Sequence, residues 1–427
     1  MELPVAGKNM IKKVRGTQDK IDLKLQNFII SKAKKHLLLY NFYQIETPIL
    51  EHTKLFIHSL GEQTDVVSKE MYVFTAEEKE DSICLRPEAT ASTIRAYIEN
   101  SVEEKPWKVF SHGPMFRKER PQKGRFRQFD QINIEVINSN AIAQDAHFIK
   151  MLDSFFSNEL LFQDYVIKLN FLGCLQDRIA HKEKLLTYIE NIQENLCDTC
   201  LVRKDKNILR IFDCKNENCQ KHYKNAPKLT DVLCTECKHE WDRLQETLQL
   251  LSINFVHDPY LVRGLDYYNK TVFEFCSNEL GAQNSFCGGG RYSLGKNISS
   301  KEDFPSVGVG IGLERIVLIC QNHIDKLSIP PEPALHIVLP MSKAQHNLAL
   351  LLAHELQSQN FCTDILLENT SMKSMMRKTN KMGAKFVLIL GEDEQKNGTV
   401  SIKNMQTGES VIVKQNQTID YLHNKKV

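Results

Sequence analysis

The sequence predicts an α+β protein: an antiparallel sheet flanked by helices, interrupted by a helical insertion and followed by a small α/β domain. Three observations carry this. Strand-like segments come in runs rather than in steady alternation with helices. A charged, cysteine-rich stretch of helical character, 174–254, separates two such runs. Beyond the stiff linker "SIPPEP", Ser328 to Pro333, strand and helix patterns alternate as in βαβ units. The expected divisions are 1–173 and 255–328 for the two parts of the sheet domain, 174–254 for the insertion and 334–427 for the tail.

Taken in order, Ile21, Leu25, Phe28, Ile29, Ala33, Leu37 and Tyr40 recur at helical spacing. "FYQIETPIL" reads as a strand closed by Pro48. "SICLRPEATASTIRAYIEN" reads as a short strand and then a helix with Pro87 in its first turn. In "QINIEVI" the alternation is strict: Gln131, Asn133 and Glu135 take one face, Ile132, Ile134 and Val136 the other. Further strands are expected at "YVIKLNFL", "KTVFEFC" and "FPSVGVGIG". In the tail, "ALHIVLP", a helix through "QHNLALLLAHELQSQ", "CTDILL", a second helix and "KFVLILG" form the α/β pattern.

The 427 residues are 42% hydrophobic and 25% charged, an ordinary soluble composition. A formal net charge of +2 means that nucleic acid must be met by local patches if it is met at all. No apolar run reaches the roughly 18 residues of a membrane span. The opening "MELPVAGKNMIKKVRGTQD" has no apolar core of a secretion signal, so a cytoplasmic setting is expected. There the twelve cysteines would be reduced or metal-bound.

Six of the eleven residues from Arg117 to Arg127 are basic, around Pro121 and Gly124. A solvated charge run is the usual reading of such a segment. Here it leads directly into the strand with the carboxamide and carboxylate face. Its arginines offer planar forks suited to phosphate oxygens. In "SVGVGIGLER", Gly308, Gly310 and Gly312 fall at period two, so one face of an extended chain is stripped of side chains. That leaves room either for a flat ligand or for another element of the fold. "LVRGLDYYN" brings Arg263, Tyr267 and Tyr268; "CGGGRYS" brings Gly288 to Gly290, Arg291 and Tyr292. Phenols, arginines and bare backbone are ingredients of a cleft for an aromatic substrate and a phosphate.

These motifs resemble those of the histidyl-tRNA synthetase family, class II aminoacyl-tRNA synthetases. "IETPILEHTKLF" is similar to class motif 1, "MFRKERPQKGRFRQFDQINIEV" to motif 2 and "VGVGIGLERIV" to motif 3. "LVRGLDYYN" and "GGGRY" resemble the two histidine-specific signatures, and "LRPEAT" the amino-acid loop, with Ala89 where glycine is usual. The resemblance implies a six- or seven-stranded antiparallel sheet, a homodimer through motif 1 and a C-terminal anticodon-binding domain. It implies L-histidine, ATP with Mg²⁺ and the histidine tRNA as substrates and partners. By motif match, Arg117 and Arg263 flank the α-phosphate, Arg315 holds the γ-phosphate and Arg125 lies near ATP. Glu88, Thr90 and Gln131 take the α-amino end of histidine; Glu135 and Tyr268 meet its ring, and Tyr267 is a further histidine-binding residue. Arg120, Gln122 and Lys123, at the tip of motif 2, would reach the tRNA acceptor end. The non-catalytic histidine-biosynthesis relative would be expected to lose the arginines and the tail, and both are present here.

Inside the insertion, "CDTC" (Cys197, Cys200) and "CTEC" (Cys234, Cys237) resemble the halves of a tetrahedral zinc site. Cys214 and Cys219 of "CKNENC" would then be spare or alternative ligands. Plain reduced thiols are the competing reading. A zinc there is expected to serve stability rather than chemistry.

Overall fold

Among the described residues, eleven strands build the first part of the chain: β1 (Tyr43–Gln44), β2 (Leu50–His52), β3 (Tyr72–Phe74), β4 (Ile83–Leu85), β5 (Trp107–Phe116), β6 (Gln128–Ile137), β7 (Val166–Phe171), β8 (Phe255–His257), β9 (Tyr268–Cys276), β10 (Ser285–Ser293) and β11 (Pro305–Gly312). They belong to a computed structural model that describes residues 11–62, 64–74, 82–281, 284–298, 302–368 and 371–425. Most of the N-terminal opening considered above, residues 1–10, lies outside them. Over this range the chain divides into two compact units, Met1–Ser328 and Ile329–Val427.

The central sheet runs β1-β5-β6-β11-β10-β9-β7-β8. Its six inner strands pair antiparallel, while the short edge strands β1 and β8 add in parallel. Eight strands are therefore present where the resemblance implied six or seven. The expected strand over "FYQIETPIL" is broken in two: β1 joins the central sheet, and β2 pairs with β4 in a separate sheet of order β2-β4-β3.

The alternation in β6 decides what lies on each side. Ile132, Ile134 and Val136 are buried, each worth roughly 1.5–3 kcal/mol of apolar burial. Ile132 and Ile134 enclose a small apolar void with Ala33 and Leu37 of the helix Lys24–Leu39 and Leu152 of the helix Ile142–Ser154. His36 Nε2 bonds the Met151 carbonyl oxygen at 2.9 Å, joining those two helices. With this face covered, Gln131 and Asn133 are left to the open side.

Pro87 does not sit in the first turn of its helix. The helix begins at Thr90 with Ala89 as N-cap, and the Glu88 carboxylate accepts the backbone N–H of Thr90 at 2.8 Å and of Ala91 at 2.9 Å. A carboxylate that satisfies two orphan donors sets the helix start more firmly than a proline can.

Between β7 and β8 lie the helices Leu175–Glu190, Asp198–Lys206, Glu217–Tyr223 and Thr235–Leu250. They dock on the loop before β9: Arg210 Nη1 donates to the Gly264 carbonyl at 2.6 Å, and Asn207 Nδ2 to Asp266 Oδ1 at 2.8 Å. The cysteine grouping read from spacing is corrected here. Cys197 and Cys200 meet Cys214 and Cys219, not Cys234 and Cys237, which instead join Cys174 and Asp177. The cause is local. Asp177 accepts the Cys174 N–H at 3.0 Å and the Cys234 N–H at 2.8 Å, and so ties the start of the last helix to the start of the first.

Among its described residues the second unit has five strands: β12 (His336–Pro340), β13 (Thr363–Ile365), β14 (Phe386–Leu390), β15 (Thr399–Asn404) and β16 (Ser410–Lys414), in the order β13-β12-β14-β15-β16. The first three are parallel and connected through the helices His346–Ser358 and Met372–Lys381. The antiparallel hairpin β15–β16 extends the βαβ pattern read from sequence.

Candidate active site

The open side of β6, β10 and β11 floors a cleft of about 620 Å³, the size of a small-molecule site. Two close approaches explain its glycines. Gly308 lies opposite Glu135, and a Cβ there would overlap the Glu135 carboxylate. Gly288 passes under Arg263, and a Cβ there would overlap the guanidinium. The glycine face thus serves both readings of its spacing: Gly308 clears a path for another side chain, while Gly310 and Gly312 line the cleft itself.

At one end the walls are Glu88, Thr90, Gln131, Tyr267 and Tyr268. The Tyr267 and Tyr268 rings are 4.5 Å apart, and Tyr267 lies 5.4 Å from Tyr292. Glu135 lies beneath this end rather than in its wall. Its Oε1 accepts from Thr90 Oγ1 and its Oε2 from the Tyr292 hydroxyl, both at 2.7 Å. Burial pushes its carboxyl up to about 8 despite those two hydrogen bonds, and nearby Glu88 adds to the rise. Burial likewise raises Glu88, against the pull of its two backbone donors.

At the other end are the cations. Arg117 donates Nε to the Pro87 carbonyl at 2.9 Å and stands over the Phe129 ring at 5.4 Å. Arg315 donates Nε to the Gly124 carbonyl at 3.1 Å and Nη1 to that of Ser285. Arg125 is paired with Glu119, whose Oε1 it reaches at 2.7 Å through Nη2. Burial alone would raise the Glu119 carboxyl, but Arg125 and then Arg117 outweigh it and hold it below the ordinary range. Arg263 is paired with Glu274, and its Nε is buried with no hydrogen-bond partner among the described residues. Burial works against its charge, and Glu274 more than offsets that.

The structure therefore gathers Arg117, Arg125, Arg263, Arg315, Glu88, Thr90, Gln131, Tyr267 and Tyr268 on one cleft. Arg120, Gln122 and Lys123 are exposed at the turn between β5 and β6, where Gln122 and Arg125 exchange backbone hydrogen bonds of 3.0 Å, and none of the three lines the cleft. Arg291, an ingredient of the cleft on spacing alone, is instead buried. It donates Nε to Asp145 Oδ2 at 3.0 Å and Nη1 to the Ser139 carbonyl at 2.6 Å. Sequence reasoning did not single out Glu119 and Glu274 as the carboxylates on which two arginines rest. It also missed the insertion's share of the wall, Phe212, Asp213, Lys215 and Gln220. The one signal for Glu119 is its place as the single acid within the basic run from Arg117 to Arg127.

A histidyl-tRNA synthetase family model matches residues 39–316, and an anticodon binding domain model matches residues 336–425. The chain is 37% identical to the histidine–tRNA ligase of Clostridioides difficile (strain 630), over 97% of its own length and 100% of that relative's. It is 41% identical to the corresponding ligase of Halothermothrix orenii (strain H 168), over 94% and 96% of the two chains. Among solved structures, apo histidyl-tRNA synthetase of S. aureus aligns with a TM-score of 0.78 at 30% identity, covering 96% of this chain and 99% of that one.

Proposed function

The chain belongs to the histidyl-tRNA synthetase family and ligates histidine to tRNA in protein synthesis; on that premise we propose that ATP and histidine react over Gly310, between Arg117 and Arg263. The histidine carboxylate attacks the α-phosphorus, pyrophosphate leaves, and the resulting histidyl-adenylate passes its acyl group to the terminal ribose of tRNA. Negative charge grows on the α-phosphate during attack. Two guanidiniums fixed beforehand in a shielded cleft stabilise it without reorganising. Arg315 takes the γ-phosphate. ATP enters with Mg²⁺, a hard cation that favours oxygen donors such as the cleft carboxylates Glu119 and Glu274. Their pairing with Arg125 and Arg263 holds those two guanidiniums at the cleft wall before ATP arrives.

Histidine lies toward the tyrosines. Glu88, Thr90 and Gln131 surround its α-amino group; Glu135 and Tyr268 pair with the ring nitrogens, with Tyr267 packed alongside. Glu135 already accepts two hydroxyls, and its carboxyl keeps lone pairs beyond those two, which leaves capacity for a ring N–H. A ring without that donor would strand buried polar groups, a penalty large enough to make editing unnecessary.

The exposed tip at Arg120, Gln122 and Lys123 meets the tRNA acceptor end, and 334–427 reads the anticodon. Leu50, Val73, Phe74 and Ile83 expose apolar surface on the small motif 1 sheet, which supports a homodimer formed there. No helix among the described residues is long and apolar enough to cross a membrane, and a cytoplasmic setting fits a partner of the translation machinery. The observation that carries this reading is the convergence of Arg117, Arg263 and Arg315 on one cleft with Glu88, Thr90 and Tyr268. ATP–pyrophosphate exchange assayed with all twenty amino acids tests it. Histidine alone should stimulate exchange; equal stimulation by proline or threonine, or histidine binding without exchange, would overturn it.

A further inference from the structure

We propose that Cys197, Cys200, Cys214 and Cys219 form an all-thiolate zinc centre that fixes one wall of the catalytic cleft. Their four sulfurs lie within 4.8 Å of one another, and Cys197 Sγ is 3.7 Å from Cys214 Sγ. A disulfide needs about 2.05 Å, so these are not half-formed bridges. A tetrahedron with zinc–sulfur bonds of about 2.3 Å has sulfur–sulfur edges of about 3.8 Å, which the 3.7 Å separation matches. Four soft donors and no harder one select zinc over magnesium or calcium.

The surrounding backbone supports thiolates. The Cys197 N–H points at Cys219 Sγ at 3.2 Å, and the Asn216 N–H at Cys214 Sγ at 3.4 Å. Cys197 also N-caps the helix Asp198–Lys206, with Cys200 in its first turn. On binding, each of the four S–H groups releases its proton to solvent and its sulfur donates an electron pair to the ion, with no change of oxidation state. The lobe has reason to need such a clamp. Its helices are short, and three of the four cysteines occupy its small apolar core, where a metal adds folding energy that area cannot.

The position gives the centre a consequence for the active site. Asp213, Lys215 and Gln220, the sequence neighbours of Cys214 and Cys219, line the cleft. The insertion is thus part of the wall and not only a separately stable appendage. The other group, Cys174, Asp177, Cys234 and Cys237, has three thiols and a carboxylate whose two oxygens already accept backbone N–H groups.

The test uses the full chain, loaded with Zn²⁺ under a reductant, desalted and analysed for metal. The native chain should retain zinc, and Cys214→Ser with Cys219→Ser should lose about one equivalent per chain relative to it. Loaded with Co²⁺ instead, the native chain should show the intense absorption of a tetrahedral thiolate site. Cys234→Ser with Cys237→Ser should keep that spectrum. A native chain that retains no zinc overturns the proposal whether or not the variants fold. So does a Cys214/Cys219 variant that holds as much metal as the native chain.

Discussion

Arg263 lies across the backbone of Gly288, so close that a methyl group at that position would occupy the space of the guanidinium. The two histidine signatures, distant in sequence, are in this way a single device: one supplies the cation and the other the bare backbone that lets it lie against the sheet.

Gly288→Ala should therefore act through Arg263. The added Cβ displaces the guanidinium by roughly an ångström, a misplacement that costs on the order of a hundredfold in rate. Pyrophosphate exchange should fall by about that factor while the protein unfolds at nearly its native temperature. Unchanged exchange would mean that the arginine position at this point is immaterial.

The β5–β6 loop divides by depth. Arg117, half-buried at the base, lines the cleft, whereas Arg120 is exposed at the tip. Arg120→Ala should weaken aminoacylation, chiefly through tRNA KM, and leave exchange nearly intact. Arg117→Ala should lower both. Equal loss of exchange in the two variants would put the tip in the ATP site.

Glu135 predicts a pH dependence of stability. Its folded value of about 8 lies above the ordinary 4.5. As pH rises between those values the unfolded chain gives up this proton while the folded chain keeps it, so the contribution to stability declines across the window and is lost above about 8. In Glu135→Gln that part of the slope should disappear. Denaturation curves at pH 5, 7 and 9, free of histidine, would measure it; identical slopes in the two proteins would show that folding does not raise the Glu135 carboxyl.

What could be read without the structure was local. Period two in β6 and β11 put Gln131, Asn133 and Glu135 on one face and the glycines on another, because strand geometry alone determines facing. Register then set Gly308 against Glu135 and Gly310 against Asn133. What could not be read was pairing between distant segments. Nothing near Cys197 tells whether Cys214 or Cys234 will meet it; that depends on Asp177 holding two helix starts together. Arg291 and Arg263 are the same residue type beside glycines and tyrosines. Yet Asp145 buries the first, while Glu274 leaves the second in the cleft wall. Side-chain partners at long range decided both outcomes.

The central claim is that a cation fixed in advance at Arg263 stabilises charge that exists only as the carboxylate attacks phosphorus. Single-turnover formation of histidyl-adenylate by Arg263→Ala, with histidine and ATP dissociation constants measured in parallel, tests it most directly. The rate should fall by roughly two to three orders of magnitude with both dissociation constants within a few-fold of native. A native rate at saturating substrate, with the loss confined to histidine affinity, would contradict the account and make Arg263 a binding residue only.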